Sequence, residues 1–248
     1  MAMHLLAFRG SGVLTTSSVR QTPVTDSIVA VSNTAFVLEQ AMEAVAVYAG
    51  ASGITLAQVT IPASPLANAL VRPIDVSATP SSDPNVAVFS DAPLRIAQQT
   101  ELALVGTGSG GTLNGAVLLR DRFEPIPPGE AITIQFTAAS QAVPTAYAWY
   151  TLTGVTWSHT LPPGQYAVVG FEVFRTTIVS ARLILQDQIW RPGTIAMQSV
   201  GLRTHQVFYD GSLGVMGRFP AYAMPSIEIV ADATTTTAEG YVRIVRVA

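Results

Sequence analysis

Short runs of Val, Ile, Thr and aromatic residues recur along the chain, separated by clusters of Pro, Gly, Asn, Asp and Ser. The runs are Leu56–Ile61, Val86–Phe89, Leu102–Val105, Ala116–Leu119, Ile132–Thr137, Ala167–Phe174, Ala181–Leu185, Ile227–Val230 and Tyr241–Val247. Short β-prone runs at regular spacing predict an all-β sandwich or barrel. Sixteen prolines and nineteen glycines supply the turns. One stretch breaks the pattern: Thr34–Ala49 is rich in helix formers, which predicts a short helix over about residues 35–43, followed by a strand at Val45–Tyr48.

The pattern also repeats. Val88-Phe89-Ser90-Asp91-Ala92-Pro93-Leu94 and Val207-Phe208-Tyr209-Asp210-Gly211-Ser212-Leu213 share V-F-x-D-x-x-L at an offset of 119. Val71-Arg72-Pro73 and Trp190-Arg191-Pro192 share that offset, and Ala46–Gly50 resembles Tyr166–Gly170 at 120. Leu102–Val105, a ten-residue loop to Gly115 and Ala116–Arg120 match Ile227–Val230, a ten-residue loop to Gly240 and Tyr241–Arg246 at 125. Ordered matches at a near-constant offset of about half the chain are the signature of an internal repeat. The expected architecture is therefore two tandem jelly-roll-like β-sandwich modules related by internal duplication. The expected boundaries are an N-terminal arm over 1–26, a first module over 27–122 and a second over 123–248, with its repeat core at 145–248.

The repeated residues have structural readings. Proline holds the Arg before it extended, so Arg72-Pro73 and Arg191-Pro192 can present a guanidinium to carbonyls at a strand end or to a carboxylate. Asp91 and Asp210 can accept backbone N–H groups in the turn after V-F. Pro127-Pro128-Gly129 and Pro162-Pro163-Gly164 each open an apolar strand as Pro-Gly turns do.

Composition narrows the function. Apolar residues make up 49% and charged residues 12%, about half the usual charged share. Such a chain can bury a large core and still leave apolar surface for contacts with other proteins. No cysteine is present, which excludes disulfides, zinc–thiolate sites and cysteine nucleophiles. All 13 basic residues are Arg, so Schiff-base and Walker-lysine chemistry is excluded too. The net charge is −3 and no basic cluster exists to neutralise phosphates, so no direct nucleic-acid binding is expected. The apolar start at Met1–Phe8 is too short for a signal peptide, and no run reaches membrane-span length.

Candidate chemistry is sparse. Gly106–Gly115 is Gly-rich but lacks the Lys of a phosphate-binding loop. Its repeat copy, Ala231–Gly240, shares length without glycines, which predicts a flexible connection. His4, His159 and His205 lack metal-ligand spacing. Asp121 and Glu124 stand amid Arg120 and Arg122, the pattern of a solvated, mutually paired turn. No G-x-S-x-G elbow occurs. No catalytic, cofactor or metal residues are assigned, and the protein is expected not to be an enzyme.

The tandem β modules, the strands after Pro-Pro-Gly turns, and Ser180-Ala181-Arg182-Leu183-Ile184-Leu185 running on to Trp190-Arg191-Pro192-Gly193 resemble the double jelly-roll major capsid proteins of tailless icosahedral viruses with an internal membrane. The resemblance is architectural and covers about residues 27–248. It implies a virion protein, made in the host cytoplasm, whose homotrimers present six similar lobes and tile a shell. Its partners would then be itself, other virion proteins and an internal membrane surface. Two alternatives stand beside it: a glycan- or ligand-binding tandem sandwich such as a spike or adhesin, and a bicupin enzyme. Cupins need an H-x-H, which this chain lacks.

Overall fold

The β-prone runs become strands wherever alternate positions can face a core. The computed structural model describes all residues except 1–2, 13–17, 21, 27, 61–73, 76–84, 89, 175–176, 187, 196–210 and 248. Among the described residues there is no helix. The fold is all-β, in antiparallel sheets, as the periodicity implies, and the chain divides into two compact units: Leu6–Leu119, and Arg120–Ala248 together with Met1–Leu5.

The first unit is built on β1 (Met3–Gly12), β2 (Ser18–Arg20), β3 (Thr22–Pro23), β4 (Ala30–Ser32), β5 (Ala35–Val37), β6 (Met42–Thr60), β7 (Ile74–Asp75), β8 (Asn85–Val88), β9 (Leu94–Ile96) and β10 (Glu101–Arg120). β6 and β10 are long and shared: β6 pairs with β7, β8, β9 and β10, and β10 pairs with β1, β2, β5 and β6. Phe8 and Phe36 meet edge to face in its core, with centroids 4.9 Å apart, beside the fully buried Leu102, Leu104 and Tyr48. Burial pushes the Tyr48 phenol well above its ordinary range.

The second unit has two sheets. The five-stranded sheet runs β13-β11-β19-β14-β17 and the four-stranded sheet β12-β18-β15-β16. Their ranges are β11 (Ala131–Ala142), β12 (Trp149–Thr151), β13 (Thr156–Trp157), β14 (Gln165–Phe174), β15 (Ile178–Ile184), β16 (Gly193–Ile195), β17 (Gly217–Pro220), β18 (Ser226–Ala231) and β19 (Thr235–Arg246). Ile134 and Phe136 on β11, Val242 and Ile244 on β19, and Phe171 and Val173 on β14 are buried from the first sheet; Ala181, Leu183, Ile227 and Ile229 are buried from the second. Each such large apolar side chain contributes about 1.5–3 kcal/mol. Gly240 lies opposite Phe136 in the β11·β19 ladder and lets its ring close over the strand: a Cβ there would stand 2.7 Å from the ring and 2.1 Å from the Glu172 carbonyl.

Four ladders of the first unit have counterparts in the second. The register of β6 with β7, Leu56↔Asp75 and Ala57↔Ile74, parallels Ala181↔Thr194 and Arg182↔Gly193 between β15 and β16. β1 pairs with β3 through Phe8↔Pro23 as β11 pairs with β13 through Phe136↔Trp157. β6 pairs with β9 through Met42↔Ile96 as β14 pairs with β17 through Tyr166↔Phe219. β5 pairs with the start of β10 as β12 pairs with β18.

Two expectations are corrected. The helix at 35–43 does not form; β5, a bend and the start of β6 occupy it. Tertiary pairing outweighs local propensity there: the Leu38 N–H donates to the Thr100 carbonyl and the Gln99 N–H to the Leu38 carbonyl. The loop at Gly106–Gly115 is strand, since β10 runs through it unbroken, and in the second unit only residues 232–234 separate β18 from β19. The described residues of the expected arm, 1–26, include strands. They carry β1 to β3, and Met3 through Phe8 are buried, because nearly every side chain there is apolar and finds cover.

Candidate functional site

Arg191-Pro192 lies where the 185–192 turn enters β16. The Arg191 guanidinium donates to the carbonyls of Gln188 and Trp190. Its carbonyl accepts the Leu5 N–H, and the Pro192 carbonyl accepts the Leu183 N–H. Asp91 is exposed in the turn before β9. Arg72, Pro73, Asp210 and His205 lie outside the described residues, so the pairings of Arg72 with Arg191 and of Asp91 with Asp210 do too.

The histidines stand in different settings. His4 is fully buried, and its Nδ1 accepts the Arg191 N–H at 3.1 Å. His159 is exposed, with Nδ1 2.7 Å from Ser158 Oγ. That hydroxyl also accepts the Gln135 N–H, so this contact of adjacent residues caps a strand end. Among the described residues no three His, Asp or Glu side chains are placed to hold a metal. Glu124 does not pair within its own turn but with Arg218 of β17, and its carbonyl accepts the Val215 N–H. Arg120 is buried, its guanidinium 5.2 Å over the Phe123 ring. The segment 123–130 is thereby fastened along residues 211–218, with Phe123 and Ile126 left exposed.

Two features were not legible in the sequence. The first is a buried ionic cluster on the four-stranded sheet. Arg182 and Glu228 are direct neighbours in the β15·β18 ladder, and Arg182 Nε donates to Glu228 Oε2 at 2.7 Å. The guanidinium also stacks 3.9 Å over Trp149. The Arg182 side chain is 3% exposed and that of Glu228 17%. Beside them the Trp149 indole N–H and Ser180 hydroxyl are buried without a hydrogen-bond partner among the described residues. The partners come from three strands well apart in sequence, so no motif marks them.

The second is an open groove of about 510 Å³ at one end of the five-stranded sheet. Leu161, Pro163, Gln165, Pro220 and Tyr222 are among its walls. The two turns that shape it are pinned together. The Ala221 N–H donates to the Gly164 carbonyl, Tyr166 Oη to the Pro162 carbonyl at 2.9 Å and Arg246 to the Pro163 carbonyl. Gly164 and Gly129, each after Pro-Pro, take φ of 155° and 147°, which side-chain-bearing residues rarely adopt. Tyr222 stands 84% exposed at the rim.

No protein-family model matches this chain, and no curated protein does. A likeness among solved structures is to the major capsid protein P2 from bacteriophage PM2. It is 8% identical over 99% of this chain and 98% of that one, with a TM-score of 0.25, too loose a superposition to carry an argument. What the described surface offers is a neutral, prolyl and aromatic groove with exposed apolar residues near strand ends, a chemistry of contact.

Proposed function

We propose that this protein is a structural subunit of a viral shell: a double jelly-roll major capsid protein whose two units arose by internal duplication, and not an enzyme. The observation that carries the reading is the set of four matched ladders, in the same order in both units. A chain with two like β bodies can place six lobes around a threefold axis, so homotrimers can pack hexagonally. Closed rotational symmetry is the common way for homo-oligomers to bury apolar surface, and a 12% charged chain has much of it to bury. The partners are then further copies, other virion proteins and an internal membrane surface, with the virion as location and the host cytoplasm as the place of synthesis. Native mass spectrometry and negative-stain microscopy of concentrated protein test this. Trimers, and hexagonally packed arrays or shells, are expected; a strictly monomeric species at high concentration refutes it.

A second reading, a glycan- or ligand-binding module of a spike or adhesin, is favoured by one feature, the groove beside Tyr222. A glycan array with wild-type protein and the Tyr222→Ala variant separates the two: saturable binding lost in the variant favours the second.

A further inference from the structure

The start of β1 is held in the second unit by a reciprocal pair of hydrogen bonds. The Leu5 N–H donates to the Arg191 carbonyl at 2.9 Å, and the Arg191 N–H donates back to His4 Nδ1 at 3.1 Å. The His4 ring stands edge-on to Trp190, with centroids 5.6 Å apart and planes at 77°. Met3, His4 and Leu5 are all 0% exposed. Leu5 packs so closely over Gly193 that a Cβ there would stand 2.9 Å from Leu5 Cδ2.

We propose that this pairing is an acid-sensitive latch, in which a proton on His4 frees Met3–Leu5 from the Trp190–Gly193 turn. A backbone amide can only donate, so His4 Nδ1 carries a lone pair and the ring proton sits on Nε2. A proton added at Nδ1 would face the Arg191 N–H, donor against donor, and would place a cation in a fully buried position. Among the described residues, the charged groups on the elements adjoining this turn include the Arg191 guanidinium, turned to the Gln188 and Trp190 carbonyls, and on β15 the Arg182–Glu228 pair. On β1 itself the next is Arg9.

The sign follows from proton counting. The freed segment takes up a proton near the ordinary imidazole value of about 6.5, while the closed latch has no place for one at Nδ1. Closure is therefore complete above that pH and is lost as pH falls, by up to about tenfold per pH unit for one proton.

Hydrogen–deuterium exchange of the whole chain between pH 7.5 and 5 tests this. The readouts are peptides covering Leu5 and residues 190–195, each rate divided by its intrinsic value. Protection of both is expected to fall about fivefold from pH 6.5 to 5.5, with far-UV circular dichroism unchanged. His4→Asn, whose amide oxygen can accept the Arg191 N–H without titrating, is expected to abolish the fall. A flat wild-type profile, or the same fall in His4→Asn, overturns the proposal. Should His4→Asn not fold, the wild-type profile decides alone.

Discussion

Replacing Glu228 by Leu removes the carboxylate that faces the buried Arg182 guanidinium. The Arg182 side chain is 3% exposed and its Nε sits 2.7 Å from Glu228 Oε2, so the guanidinium is largely shut off from water. Removing one partner of a buried pair costs about 3–5 kcal/mol. Glu228 keeps 17% exposure, which places the expectation at the lower end, about 3 kcal/mol. With a urea slope of about 2 kcal/mol per molar, the midpoint of the second unit's transition falls by about 1.5 M. Trp149 fluorescence is a local reporter, because its ring lies 3.9 Å beneath the guanidinium. Replacing both partners, Arg182→Met with Glu228→Leu, removes the charge along with its counter-charge and is expected to restore the midpoint to within about 0.5 M. A midpoint for Glu228→Leu within about 0.3 M of wild type, or a double variant as weak as the single one, refutes the reasoning.

Two further outcomes follow from the same geometry. Gly240→Ala sets a Cβ 2.1 Å from the Glu172 carbonyl and is expected to cost about 3 kcal/mol or more. Gly154→Ala, at φ +61° with open space around it, carries only backbone strain of about 1 kcal/mol; chemical denaturation giving the reverse ranking contradicts this. Burial raises the Asp232 carboxyl above its ordinary range, against a weaker opposing hydrogen bond from its own backbone, so the folded state holds that proton more readily than the unfolded chain. The carboxylate therefore weakens the fold once the pH exceeds the raised value. Asp232→Asn should lift the thermal midpoint slightly at pH 7 and not at pH 3; calorimetry showing an equal shift at both pH values counts against it.

Strands built from β-branched runs were legible because the residues that alternate are the residues that pack. β11 shows this, with Ile134 and Phe136 buried and Thr133 and Thr137 outward. Composition misled where pairing decided. Glu39-Gln40-Ala41-Met42 favours helix in isolation, but Leu38 is tied to Thr100 and Gln99 before a turn could wind. The glycines of 106–115 imply a loop, yet glycine inside a strand also marks close approach: a Cβ on Gly115 would lie 2.1 Å from Leu104 and 3.1 Å from the Tyr48 carbonyl. Arg182, Glu228 and Trp149 were out of reach because the cluster depends on registers between strands, which no local pattern encodes. The Glu124 pairing failed for the same reason, since Arg218 lies 94 residues away.

His4 finds its backbone partner 187 residues further along the chain. On a ribosome, synthesis proceeds from the N-terminus at about 5–20 residues per second, so the β1 and β10 partners of the first unit emerge well before the Trp190–Gly193 turn exists. Met3, His4 and Leu5 must pass that interval without their cover. The strand made first therefore completes its contacts only after the chain has reached the Trp190–Gly193 turn. A chain cut short near residue 120 would lack the turn that covers Met3 and Leu5.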